Sequence, residues 1–282
     1  MAALAIINSP VSIPPTDRLY LPYEGNFVTS KAGCKVLSIS RPEQQQQQGD
    51  DATGTLIDLA FDASPFHPQG GGQPSDVGTI SIERTEQILT VKKATFSFET
   101  NVVTHHCSVV AADVDIRVGD TCTLNVDSET RLLHSKYHSA GHLVDSAMYR
   151  LGYELPPEKG YHFPDGPTVE YKGLVEADKR QELVKKLKEE FVTLVNEDIP
   201  TTICMQIKEE AEAELNRTQK NFDFSLFEDP EVRIVGVADF KCPCGGTHVR
   251  STKELSEFTV TGIKCKKGVT KIKYDIMPST SV

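Results

Sequence analysis

TCTLNVDSETRLLHSKYHSAGHLVDSAMYRLGY, residues 121–153, divides the chain into two kinds of sequence. TCTLNV closes a series of short β-rich runs. From Asp127 the composition changes and the pattern turns helical, with Asp127 or Ser128 placed to cap a first turn and Gly152 just beyond the last. Upstream lie GCKVLSIS (33–40), GTLIDLAFD (54–62), GTISIER (78–84), QILTVKKATF (87–96) and NVVTHHCSVV (101–110), separated by Gly, Asn, Asp and Pro at hairpin-like spacing. Such spacing predicts a small antiparallel β-barrel. EQQQQQGDD at 43–51 is low in complexity and cannot bury apolar area, so it reads as a disordered loop within that barrel. Downstream, a second helix is expected over roughly 176–197, with Leu183, Leu187, Phe191, Leu194 and Val195 on one stripe. IPTTICMQI (199–207) and EVRIVGVADF (231–240) then read as strands around a shorter helix. The expected fold class is α+β: a leader over 1–20, a barrel domain over 21–126 and an α+β domain over 127–282.

The 282 residues suffice for two ordinary domains with sizeable cores. Hydrophobic content of 38% and charged content of 25% are those of a globular protein, and no apolar run approaches bilayer length. No membrane partner is expected. MAALAIINSPVSIPP lacks a basic n-region and breaks at prolines, which favours a cytoplasmic location over secretion. Seven cysteines, odd in number and mostly scattered, argue against a disulfide framework. The net charge of −10 counts against nucleic acid in general, and DNA is not an expected partner. One stretch runs the other way: Arg250, Lys253, Lys264, Lys266, Lys267, Lys271 and Lys273 face only Glu254, Glu257 and Asp275. It reads equally as a nucleic-acid surface or as a solvated strand edge whose lysines deter aggregation.

Each helical residue advances by roughly 100° around the axis, so Leu133, Tyr137, Ala140, Val144, Ala147 and Leu151 gather into one apolar stripe. His138 and His142 fall on its flank. A lone histidine usually has a structural role, but a pair at i and i+4 can direct two imidazoles at one ion. KCPCGGTHV (241–249) repeats the separation in Cys244 and His248. His-x3-His with Cys-x3-His supplies four donors that suit Zn²⁺ by softness and by its tetrahedral preference. His134, one helical turn before His138, and Cys242 are competing ligand candidates ranked below these four. Four protein ligands describe a closed structural site, so a catalytic role requires one of them to give way or the metal to organise the pocket. Ser139 stands where a zincin protease carries its general-base Glu, which disfavours peptide hydrolysis. A third stretch, FHPQGGGQPSDVG (66–78), has glycines that let a backbone or ligand approach closely, or simply make a hairpin.

HSAGHLV, CGGTHV and PQGGGQPSDVG together resemble the editing half of alanyl-tRNA synthetase and its free-standing relatives, the AlaX family. The resemblance runs from about residue 54 to about 275 and includes TCTLNVDSETR and FTVTGIKCKKGVTKIKY. It implies a β-barrel followed by a zinc-binding α+β editing domain, with His138, His142, Cys244 and His248 as ligands and Gly71, Gly72 and Gln73 lining the pocket. It also implies hydrolysis of the ester joining serine or glycine to alanine tRNA, a translation-fidelity function whose partner is the acceptor end of mischarged tRNA. No adenylate-forming domain is expected, which suggests a stand-alone deacylase. Gln73 and Thr247 are the candidate catalytic residues; Thr247 could read a serine hydroxyl or only bond its own loop. Serine on threonine tRNA is an alternative substrate. A non-catalytic, zinc-stabilised tRNA-binding module and a metal-dependent hydrolase of small acylated metabolites are the readings from other classes.

Overall fold

The structure is a computed structural model that describes residues 13–41, 55–109, 114–217, 224–225 and 229–277. The glutamine-rich loop expected at 43–51 lies outside the described residues, as do the first 12 of the leader. Two short strands, β1 (Asp17–Arg18) and β4 (Ala63–Ser64), pair in parallel. The barrel strands are β2 (Ser30–Ser40), β3 (Thr55–Phe61), β5 (Gly78–Ile82), β6 (Ile88–Ser97), β7 (Val102–Val109) and β8 (Thr121–Val126). They close antiparallel in the order β2-β3-β7-β6-β5-β8, each grown from one of the β-rich runs. Alternation does the sorting: in β8, Cys122, Leu124 and Val126 turn inward while Thr121, Thr123 and Asn125 do not. Closure removes the open edges that would invite intermolecular pairing. The core is filled by Ile57, Leu59, Phe61, Ile80, Leu89 and Leu124, among others. Part of the expected leader is packed on this barrel: the Thr16 hydroxyl donates to the Phe61 carbonyl at 3.0 Å and Tyr20 is buried.

Helix α1 (Ser128–Arg150) follows directly. Asp127 caps it, its Oδ1 accepting from the Thr130 N–H at 2.8 Å, and that bond holds the carboxyl below its ordinary range. Gly152, with φ of 77°, ends it: the Gly152 N–H donates to the Tyr149 carbonyl and the Tyr153 N–H to that of Met148. Among the described residues the remaining strands and α-helices are β9 (Pro157–Tyr161), β10 (Thr168–Lys172), α2 (Arg180–Asn196), β11 (Thr202–Ile207), α3 (Lys208–Leu215), β12 (Glu231–Val237), β13 (Phe240–Pro243), β14 (Phe258–Lys266) and β15 (Val269–Ile276). They form a four-stranded sheet, β14-β15-β10-β9, and a three-stranded one, β11-β12-β13. With the barrel, this is an α+β protein.

The single apolar stripe expected on α1 is a simplification. Tyr137, Ala140, Val144 and Ala147 are buried, but so are Leu143, Met148 and both ligand-type histidines, whereas Leu133 is 36% exposed. The helix lies between α2, both sheets and the glycine-rich stretch of the barrel domain, so burial nearly encircles its middle and no one face marks the core. Strands β9 and β10 have no counterpart in the sequence reading. Among the described residues no helix is long and apolar enough to cross a membrane, and the seven cysteines are unpaired.

Candidate metal centre and adjoining cavity

His138, His142, Cys244 and His248 meet, with one ligand-type atom from each lying within 4.8 Å of the others. The geometry follows from the chain. One turn of α1 stacks the His138 and His142 rings with centroids 5.0 Å apart, and the turn after β13 brings Cys244 and His248 to them. Cys244 Sγ lies 3.4 Å from His138 Nε2 and 3.3 Å from His248 Nε2. Ligands at the corners of a tetrahedron with bonds of about 2.0–2.3 Å stand about 3.3–3.8 Å apart, so Cys244 has from His138 and His248 the separations a zinc-type ion requires. Burial drives His138 and His248 well below the usual imidazole range and His142 down to about 4, so the rings are neutral donors. Burial raises the Cys244 thiol, opposed by the Arg233 guanidinium and by the Gly246 N–H, which donates to Sγ. Cys242 stands beside the quartet, its Sγ 3.4 Å from His142 Nδ1, and His134 is outside it.

The barrel supplies the groups that orient the quartet. In the glycine-rich stretch, Gly70 and Gln73 pair across a tight turn in which Gly71 and Gly72 take φ of 56° and 77°. The turn sends the fully buried Gln73 side chain behind His138, whose Nδ1–H donates to Gln73 Oε1 at 2.7 Å. An amide oxygen can only accept, so this bond fixes the proton on Nδ1 and leaves the Nε2 lone pair directed at the cluster. The Thr247 N–H donates to the same Oε1 at 2.9 Å, and Gln73 Nε2 donates to Thr247 Oγ1 at 2.8 Å. The Ser135 hydroxyl donates to the Arg131 carbonyl, so the Thr247 hydroxyl donates to Ser135 Oγ, 2.7 Å away. Both residues read as catalytic candidates are thereby committed to one buried chain. Thr247 does more than bond its own loop, but its hydroxyl has no proton left for a substrate, and neither side chain lines the cavity.

Other groups complete the frame. Ser139, at the place of a zincin's Glu, sits 3.3 Å from His248 Nδ1 and accepts from the Val249 N–H. Asn26 brackets the His248 backbone, Nδ2 donating to its carbonyl at 2.6 Å and Oδ1 accepting from its N–H at 3.1 Å. A buried ion pair joins Arg131 of α1 to Asp76 at the end of the glycine-rich stretch, while Arg131 also donates to the Pro65 carbonyl.

Beside the quartet is a cavity of about 270 Å³ whose walls include Gly71, His138, His142, Asp145, Lys159 and His162. Of the three glycine-motif residues expected there, only Gly71 lines it; the Gly72 carbonyl instead accepts from the His162 N–H at 2.8 Å. His162 was not singled out by sequence, since it stands alone between two unread strands. Its ring stacks on His138 with centroids 4.4 Å apart, and its Nδ1 is 2.6 Å from the Tyr274 hydroxyl. A Cβ on Gly141, in HSAGH, would come within 2.5 Å of that ring, so the glycine makes room for the stack. Burial lowers His162 to about 3. Asp145 was also unread: burial pushes its carboxyl up to about 7, against the Tyr171 hydroxyl that donates to it at 2.5 Å. A titratable carboxyl, a neutral imidazole and a metal-type quartet around one small cavity can position a polar substrate and move a proton beside it.

Residues 232–273, which contain Cys244 and His248, match the family described as the threonyl and alanyl tRNA synthetase second additional domain. The chain is also similar to alanine-tRNA ligases over most of its length. It is 30% identical over 241 residues to that of Carboxydothermus hydrogenoformans, covering 82% of this chain and 24% of the ligase. It is 28% identical over 272 residues to that of Methanobrevibacter smithii, covering 94% and 27%. To that of Mycoplasma mycoides it is 27% identical over 256 residues, covering 89% and 27%. The chain thus spans about a quarter of the length of these relatives.

Proposed function

Starting from this kinship with the editing domain of alanyl-tRNA synthetases, we propose that the protein is a zinc-dependent aminoacyl-tRNA deacylase of the AlaX kind. It removes serine, and also glycine, from mischarged alanine tRNA, acting in the cytoplasm. The observation that carries the proposal is the quartet of His138, His142, Cys244 and His248 opening onto a cavity of about 270 Å³. That space suits an amino acid and the terminal ribose of a tRNA, not a folded peptide. Seven free cysteines support the cytoplasmic location.

An aminoacyl ester is already activated, so its hydrolysis needs a positioned water, an acceptor for that water's proton and stabilisation of developing charge. A zinc ion held by the quartet would supply Lewis acidity and, where one of the four ligands gives way, a grip on the substrate's amino group or on water. His162 and the Gly71 backbone shape the cavity around the amino acid. Asp145, ionised above about pH 7, accepts the proton of the attacking water. Gln73, Ser139 and Thr247 hold the ligands in place and do not touch substrate.

The test is to mix metal-quantified protein with alanine tRNA carrying serine, glycine or alanine, beside threonine tRNA carrying serine, and to follow ester loss. Loss of serine and glycine with alanine spared is the expected result. Loss only from threonine tRNA would reassign the substrate, and no loss from any of them with zinc bound would leave a tRNA-binding module.

A further inference from the structure

The hairpin β14–β15 alternates strictly where it matters: Ile272 and Tyr274 are buried, while Lys271 and Lys273 lie on the other face of the sheet. On that face the strand register sets Lys264 opposite Lys271, Lys271 opposite Glu170, and Glu170 opposite Lys159, a row that crosses all four strands. With Lys266 and Lys267 at the hairpin end, these residues line an open groove of about 660 Å³. Glu170 is the one acidic residue in its lining and is held by Lys271 at 2.5 Å.

Edge protection does not account for this. Lys264 and Lys266 are on the edge strand β14, but Lys271 and Lys273 are on β15, which is paired on both sides. An interior strand has no free edge to defend. Lys264 stands opposite Lys271, whose charge Glu170 answers, and the groove lining still sets six lysines against that one carboxylate. In a chain of net charge −10, such a concentration of one sign on one face is a local field suited to a polyanion. The groove also adjoins the cavity beside the metal centre, with Lys159 and Glu170 in the lining of both.

We infer that the lysine face of the β14-β15-β10-β9 sheet is the docking surface for the acceptor stem of tRNA, whose phosphates run along the groove so that the 3′ end passes the Lys159–Glu170 wall into the histidine cavity. The assignment of the 3′ end rests on the deacylase reading above; the nucleic-acid surface itself does not. Phosphate contacts of this kind carry affinity and register, not base identity.

The experiment uses the whole chain and uncharged alanine tRNA, with binding followed by fluorescence anisotropy across a potassium chloride series. The variant combines Lys264→Ala, Lys266→Ala and Lys273→Ala, three exposed side chains away from the metal centre. Its tRNA affinity is expected to fall about tenfold or more, and the slope of log affinity against log salt to flatten by about 1 per lysine removed. Zinc content and hydrolysis of a small ester, serine on adenosine, should stay at wild-type levels, and the matching Lys→Arg variant should restore tRNA binding. Unchanged tRNA affinity and salt slope in the alanine variant would overturn the inference. So would loss of binding to phosphatidylserine vesicles with tRNA binding intact. If wild-type protein binds tRNA through these lysines but hydrolyses no ester, the docking surface stands and the deacylase reading falls.

Discussion

Gln73 and His138 are joined by a 2.7 Å hydrogen bond between side chains from the two halves of the molecule. The barrel thereby sets the tautomer of a histidine on the helix beyond it, and the candidate metal centre is a property of both. Gln73→Ala should weaken zinc binding by about 10- to 100-fold, the usual cost of removing a group that orients a metal-ligating histidine. Chelator competition reads this directly. Wild-type zinc affinity with turnover lost would place Gln73 on the substrate instead.

The Arg131–Asp76 pair, buried on both sides, ties α1 to the glycine-rich stretch. Removing one partner strands the other charge, and Asp76→Asn should cost about 3–5 kcal/mol in denaturant unfolding. A loss below about 1 kcal/mol would show that water reaches the site.

Two buried barrel histidines give a sign for the pH dependence of stability. His67 and His105 are pushed by burial from 6.5 to about 4. Between those values the unfolded chain binds protons that the folded chain does not, so stability falls as pH drops from about 6.5 to about 4. Each group contributes up to about 1.4 kcal/mol per pH unit. Urea titrations of a variant carrying His105→Asn should show a shallower fall; an unchanged slope would mean that His105 is protonated in the folded barrel.

Asp145 should impose a pH profile on turnover. As a proton acceptor raised to about 7, it is active when ionised, so activity should climb with pH through that value. Asp145→Asn should lower kcat and flatten the climb while leaving zinc bound. A preserved climb in the variant would assign the titration to another group.

Much of this was legible in sequence, for identifiable reasons. Each barrel strand announced itself because β-rich runs were set off by turn residues, and Asp127 and Gly152 marked the ends of α1 because capping is local chemistry. The quartet was legible because two x3 pairs put four soft donors at helical or turn spacing. His162 was not, since its contacts with His138 and Tyr274 span 24 and 112 residues of chain and leave no local pattern. Strand β9, PEKGY, begins with proline and is exposed along most of its length, so it carried no alternation to read. Asp145 looked like an ordinary polar helix residue because burial by distant strands sets its pKa. Gln73 and Thr247 stand out by their motifs, but their partners do not, because what they touch depends on how the barrel meets α1.

The central claim is that the histidine–cysteine quartet holds a zinc ion on which deacylation depends. Zinc stoichiometry and hydrolysis of serine-charged alanine tRNA, measured on the same samples of wild-type protein and His142→Ala, test it most directly. One zinc per chain with rapid ester loss in the wild type, and neither in the variant, is the result expected. Full metal content or full hydrolysis in His142→Ala would contradict it.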